Sequence, residues 1–165
     1  MTAIADTSFI IAVVRTRDTK HEICVEVFKQ YREIIMPQSV LAEVGYLLTQ
    51  GEGNEGMARF LRIIPKSKYR LETLQEIDFA RTAEILDTYA DTRVDFVDAT
   101  VAAVAERLTI THILTLDRRD FSIIRPTHRL FHDFASVDRS SCGRVVAVSV
   151  ACHQQAERYP GLSML

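Results

Sequence analysis

Composition offers this chain no obvious partner. A net charge of −2 over 165 residues gives no general attraction for a polyanion, so any contact with nucleic acid must be local. The three cysteines, Cys24, Cys142 and Cys152, are odd in number and form no CxxC pair, and a reduced cytoplasmic protein is the simpler reading. No basic stretch precedes Asp6, so no secretory signal is expected. No apolar run is long enough to span a bilayer, so no membrane role is expected. There is no internal repeat. The glycine-rich GEGNEG at Gly51–Gly56 lacks the Lys-Ser/Thr ending of a phosphate-binding loop and is assigned no chemistry. What is present is ordinary: 47% hydrophobic and 25% charged residues suit one soluble domain that buries a core without disulfides.

The chain alternates short apolar runs with amphipathic stretches. Thr2–Ala5 is expected to be a strand ending at Asp6, with Thr7 and Ser8 as capping hydroxyls for a helix carrying Phe9, Ile10, Val13 and Val14. A helix over His21–Arg32 turns Cys24, Val27, Phe28 and Tyr31 inward. Ile34–Met36 is a second buried strand. Ser39 is placed to cap a helix over Val40–Gln50 in which Tyr46, Leu47 and Leu48 read as core. Gly51–Gly56 reads as a loop, because repeated glycines forfeit helix stability. Met57–Ile64 is a short helix and Tyr69–Leu74 a strand. Glu76–Ala90 is a helix with Phe79, Ala83 and Leu86 inward. The stretch Arg93–Phe121 supplies a helix with Val97, Val101, Val104 and Leu108 on one stripe, then a buried strand over His112–Leu116. Phe121–Ile124 is expected as a last strand, and the apolar run Val145–Ala151 is left without a partner. Strands alternating with helices argue a parallel α/β sheet. Residues 1–135 form one expected domain and 136–165 an extension with no assigned role.

In such sheets ligands bind beyond the carboxyl ends of the strands. Four acidic residues point there. Asp6 ends the first strand, Asp117 ends the strand after the central helix, and Asp98 lies in that helix's first turn, where exposed N–H groups favour negative charge. Glu43 shares a helix flank with Val40 and Leu47, so its carboxylate needs a partner. Each alone has a plainer reading: Asp6 a cap, Asp98 the third-position member of a capping arrangement with Asp95, Asp117 the start of the turn DRRD, Glu43 a solvated side chain. Jointly they call for a cation, and no Lys or Arg in these segments is placed to neutralise them. Carboxylates with retained waters are the ligand set of Mg²⁺, and Mn²⁺ accepts the same site. Such a site activates water and stabilises charge on a phosphodiester oxygen.

The motifs Asp6-Thr7-Ser8, Leu41-Ala42-Glu43-Val44, Asp95-Phe96-Val97-Asp98-Ala99 and Thr115-Leu116-Asp117-Arg118-Arg119-Asp120-Phe121 together resemble the PIN-domain nucleases, most of all the VapC-type toxins of toxin–antitoxin pairs. The likeness covers roughly residues 1–135. It implies a three-layer α/β/α sandwich around a mostly parallel sheet and a Mg²⁺-dependent endoribonuclease. It also implies a homodimer held inactive by a co-expressed antitoxin. Carried over, Asp6, Glu43, Asp98 and Asp117 are the metal-binding and catalytic carboxylates. Thr7, Ser8 and Thr115 support them, and Asp95 and Asp120 are accessory. The tail from Ser136 departs from the family, which normally ends soon after the last strand.

Arg93, Arg118, Arg119 and Arg125 flank these motifs and are candidates for RNA phosphates, or else ordinary surface charges. His128 and His132 have the spacing of a zinc pair, without the glutamate or cysteine that would support one. His112 reads as a strand-edge residue. Two other classes compete with the nuclease. A phospho-acceptor signalling domain also gathers aspartates at strand ends, but it wants an acidic pair after the first strand and a lysine after the last. A PIN-like module that binds RNA or a partner without cutting would have no need of four carboxylates.

Overall fold

A computed structural model describes residues 1–117, 121, 123 and 124, and the backbone of 146–149. Four runs form parallel strands: β1 (Thr2–Ala5), β2 (Glu33–Pro37), β3 (Tyr69–Glu72) and β4 (His112–Thr115). They lie in the order β3-β2-β1-β4. Ala3, Ile4 and Ala5 of the central strand are all fully buried. That is expected of a parallel strand covered on both faces, and it explains why these runs are continuously apolar rather than alternating. A fifth strand, β5 (Val146–Ser149), pairs antiparallel with β4, from His112 opposite Ser149 to Thr115 opposite Val146. Val146–Ser149 of the apolar run left without a partner thus belongs to the sheet.

Helices α1 (Thr7–Val14) and α3 (Gln38–Ile63) directly follow β1 and β2, so both begin at the carboxyl edge of the sheet. Helix α5 (Phe96–Arg107) leads back into β4 and begins at that same edge. Helix α2 (His21–Gln30) packs on α1, and α4 (Glu76–Thr88) on α5. Among the described residues no helix is long and apolar enough to cross a membrane.

Several expectations give way. The break expected at GEGNEG is confined to Gly53, where two helical stretches of α3 meet at a kink with φ 68° and ψ −176°. The segment stays ordered because Arg15 folds over it: a Cβ on Gly51 would lie 2.5 Å from Arg15 Nη2. That guanidinium donates to Leu47 O at 2.6 Å and pairs with Glu52 at 3.7 Å. Helix α4 is rotated from its expected phase. Phe79 is 52% exposed and Ala83 also faces out, while Asp78, Thr82 and Ile85 face in. The cause is electrostatic. Arg107 of α5 donates to both oxygens of Asp78, at 2.8 and 3.1 Å, and to Glu72 at 3.1 Å. The phase that turns Asp78 inward to meet Arg107, leaving it 1% exposed, carries Phe79 outward. Tyr46, read as core, is 64% exposed, whereas Val40, Val44 and Leu48 are fully buried. Phe121 and Ile123 have helical backbone rather than the extended one expected of a strand.

Candidate active site

The site starts from the cap of α1. Asp6, not Thr7 or Ser8, is the capping residue, and its own N–H still belongs to the sheet, donating to Leu114 O at 2.9 Å. Its carboxylate accepts four bonds: Thr7 N at 2.6 Å, Ser8 N at 3.4 Å, Ser8 Oγ at 2.7 Å and Thr115 Oγ1 at 3.0 Å. Asp6 is 6% exposed. Burial raises its carboxyl pKa, and the bonds from Ser8, Thr115 and Thr7 offset part of that rise.

The two hydroxyls also tie Asp6 to the end of β4. Ser8 Oγ accepts from Leu116 N and Thr115 Oγ1 accepts from Asp117 N, each at 2.9 Å. Both donate their single proton to Asp6, so their mutual 3.3 Å approach is a contact between two oxygens already engaged elsewhere. Thr7 turns the other way and donates to Glu43 Oε2 at 2.6 Å. Asp6, Thr7, Ser8, Glu43 and Thr115 therefore form one connected network drawn from β1, α1, α3 and β4, and the backbone of Asp117 is bonded into it.

Asp95 and Asp98 sit at the start of α5 as a reciprocal capping box. Asp95 Oδ1 accepts from Val97 N at 2.8 Å and Asp98 N at 3.0 Å, and Asp98 Oδ2 accepts from Asp95 N at 3.4 Å. The plainer reading of the pair is thus present in the structure, and it leaves Asp98 at the carboxyl edge. Arg93 is exposed just before this helix. Arg118, Arg119, Asp120, Arg125, His128, His132, Cys142 and Cys152 lie outside the described residues. His112, the first residue of β4, bonds through Nδ1 to Tyr31 Oη at 3.1 Å, away from the carboxylates.

Three helix amino termini, those of α1, α3 and α5, converge on this edge and favour negative charge there. Among the described residues no Lys or Arg pairs with Asp6. None of the described carboxylate, imidazole and thiol groups gather in threes close enough to hold an ion. The donor set suits a hard cation that takes one or two carboxylates and keeps several waters, which is how Mg²⁺ is usually held.

Sequence reasoning overlooked two hydroxyls. Ser39, expected as a helix cap, makes no capping bond. Its Oγ lies 2.7 Å from Oγ1 of the fully buried Thr100 in α5. Nothing in the one-dimensional pattern marks a pair 61 residues apart.

Residues 3–125 match the PIN domain family, and the chain belongs to that family. PIN-domain nucleases generally use a divalent metal ion. The chain is 29% identical over 124 residues to Ribonuclease VapC26 of Mycobacterium tuberculosis, covering 74% of this chain and 92% of that protein. In three dimensions it resembles VapC20 of M. tuberculosis, described as a Sarcin-Ricin loop cleaving toxin, with a TM-score of 0.67. The identity there is 22%, covering 75% of this chain and 99% of that one. It also resembles DNA-bound VapBC of Salmonella typhimurium, with a TM-score of 0.58 and 16% identity over 74% of this chain and 91% of that one. At those identities the structural likenesses speak for the fold.

Proposed function

We propose that this protein is a Mg²⁺-dependent endoribonuclease, the toxin of a cytoplasmic toxin–antitoxin pair. The observation that carries the reading is the Asp6 carboxylate. It is buried, ringed by neutral donors, and set where three helix amino termini converge, with no basic side chain among the described residues bound to it. Membership of the PIN family and likeness to a named VapC ribonuclease support the same conclusion.

Asp6, Glu43, Asp98 and Asp117 line the edge that would hold Mg²⁺, through one or two carboxylates directly and otherwise through retained waters, with Mn²⁺ as a substitute. The ion, when bound, acidifies a water and stabilises charge on the phosphodiester oxygens. The chain's own groups do the rest. Ser8 and Thr115 fix the Asp6 carboxylate against the end of β4. Thr7 engages one oxygen of Glu43, which leaves Oε1 to accept the proton of an attacking water. Arg93, Arg118 and Arg119 contact RNA phosphates on either side. The nuclease domain comprises residues 1–135, and β5 from the following extension completes its sheet. The working form is a homodimer, and the antitoxin fills the groove and sets a basic side chain against the carboxylates.

The experiment is cleavage of a mixed RNA pool by purified protein in Mg²⁺ or EDTA, beside Asp98→Asn. Discrete metal-dependent products from the wild type alone support the reading. Identical behaviour of the two proteins rejects it in favour of a module that binds RNA or a partner without cutting.

A further inference from the structure

The geometry points to Ser39 and Thr100 as positioning residues that set the separation of Glu43 and Asp98, and through it the affinity of this edge for a divalent cation. The inference rests on the metal-dependent reading of the site.

The proton order in the pair is fixed. Thr100 Oγ1 donates to Val97 O at 2.8 Å. A hydroxyl has one proton, so the 2.7 Å contact with Ser39 is a bond in which Ser39 donates and Thr100 accepts. The chain of bonds runs from Ser39 Oγ to Thr100 Oγ1 to the carbonyl of the Val97–Asp98 peptide. That same peptide is gripped on its other side, where Asp98 N donates to Asp95 Oδ1 at 3.0 Å. The peptide plane leading into Asp98 is therefore held from both faces, once by its own helix cap and once, through Thr100, by α3.

Ser39 stands one helical turn before Glu43 on α3. Glu43 is in turn anchored to α1 by the 2.6 Å bond from Thr7. Helices α3 and α5 reach the edge by separate crossovers in the chain, so their relative height is not set by sequence proximity. A short bond from the first turn of α3 to the second turn of α5 supplies that setting. Thr100 is fully buried, whereas Ser39 is only half-buried. This unequal burial lets the two positions be tested with different risks to folding. Groups that orient the ligands of a metal, without touching it, typically matter about 10- to 100-fold in affinity or activity.

The test is Mn²⁺ binding by the intact, RNA-free protein, followed by electron paramagnetic resonance, in the wild type, Ser39→Ala, Thr100→Val and Thr100→Ser. Wild-type RNA cleavage is measured alongside. Ser39→Ala and Thr100→Val are expected to weaken Mn²⁺ binding about tenfold or more, with circular dichroism unchanged for Ser39→Ala. Thr100→Ser keeps the hydroxyl and should bind as the wild type does. The double variant Ser39→Ala/Thr100→Val should be no worse than Thr100→Val, because both break one chain of bonds. If Thr100→Val does not fold, Ser39→Ala decides alone. Wild-type Mn²⁺ affinity in Ser39→Ala overturns the inference while leaving the nuclease reading intact. A wild-type protein that neither binds Mn²⁺ nor cuts RNA overturns both.

Discussion

Thr7 and Glu43 meet across 2.6 Å although 36 residues separate them, and their contact joins the first turn of α1 to the second turn of α3. Eight residues further along α1, Arg15 reaches the same helix at Leu47 O, also at 2.6 Å. Helix α1 thus grips α3 at two points, and Glu43 lies between the end of β2 and the second grip. Its carboxylate is placed by the packing of two helices rather than by a flexible side chain.

Asp98→Asn should abolish RNA cleavage and leave the fold intact, because an amide still accepts from Asp95 N within the capping box while losing the charge. Cleavage assays with circular dichroism check both halves. Wild-type activity in the variant would remove Asp98 from the site.

The raised pKa of Asp6 makes stability depend on pH in a definite direction. The folded state holds this proton more tightly than the unfolded chain, whose value is near 3.8. Its contribution is therefore greatest below that value and is lost as pH rises through the raised folded value. Above the raised folded value the metal-free protein carries the full cost of the buried charge, which a bound divalent cation would offset. Mn²⁺ or Mg²⁺ should raise Tm at pH 7, and the rise should shrink as the pH falls through the acid range. A cation-induced shift independent of pH would contradict this.

Arg107→Ala should destabilise the protein by about 3–5 kcal/mol, the usual consequence of leaving a buried charge uncompensated. Asp78 is only 1% exposed and takes both of its side-chain bonds to α5 from Arg107. Urea denaturation measures the loss, and a change under 1 kcal/mol would show that water replaces the guanidinium.

Thr109 is the one described non-glycine residue with positive φ, at 55°, just past the end of α5. A β-branched residue is strained there, so Thr109→Gly should stabilise the protein by roughly 1 kcal/mol. Thermal denaturation of the pair tests the sign. Gly53→Ala, at φ 68° with no atom within 4 Å of its would-be Cβ, should act in the opposite direction for the same conformational reason.

Burial pushes the Cys24 thiol up to about 12, so at neutral pH almost none of it is thiolate. Peptide-resolved alkylation should leave Cys24 unmodified in the folded protein and modify it once denaturant is added. Rapid labelling of native Cys24 would mean that α2 opens readily.

The parallel sheet was legible because its strands, Ala3–Ala5, Ile34–Met36 and Ile113–Leu114, are apolar runs ended by polar or proline residues. Asp6, Glu43, Asp98 and Asp117 were legible as candidates because each ends a strand or lies near the start of a helix. What escaped was set by partners distant in the chain. Phe79 was placed inward by pattern, but Arg107 draws Asp78 into that position. Glycine content argued a loop at Gly51–Gly56, and the chain does break there, but only as a kink at Gly53 with Arg15 and Glu52 paired beside it. Val146–Ser149 had no visible partner because antiparallel pairing to the far edge of a parallel sheet leaves no periodic trace. Ser39 and Thr100 look like any hydroxyls on helices until both are seen together.

The order of the strands also bears on the making of the protein. β1 is the first strand to be synthesised, yet it lies at the centre, between β2 and β4. Asp6 must wait for Thr115, 109 residues later, before its carboxylate is enclosed. Contacts of such sequence separation close late. A nascent chain shorter than this lacks the Thr115 bond to Asp6, so the carboxylate network at the sheet edge is complete only after most of the chain has been made.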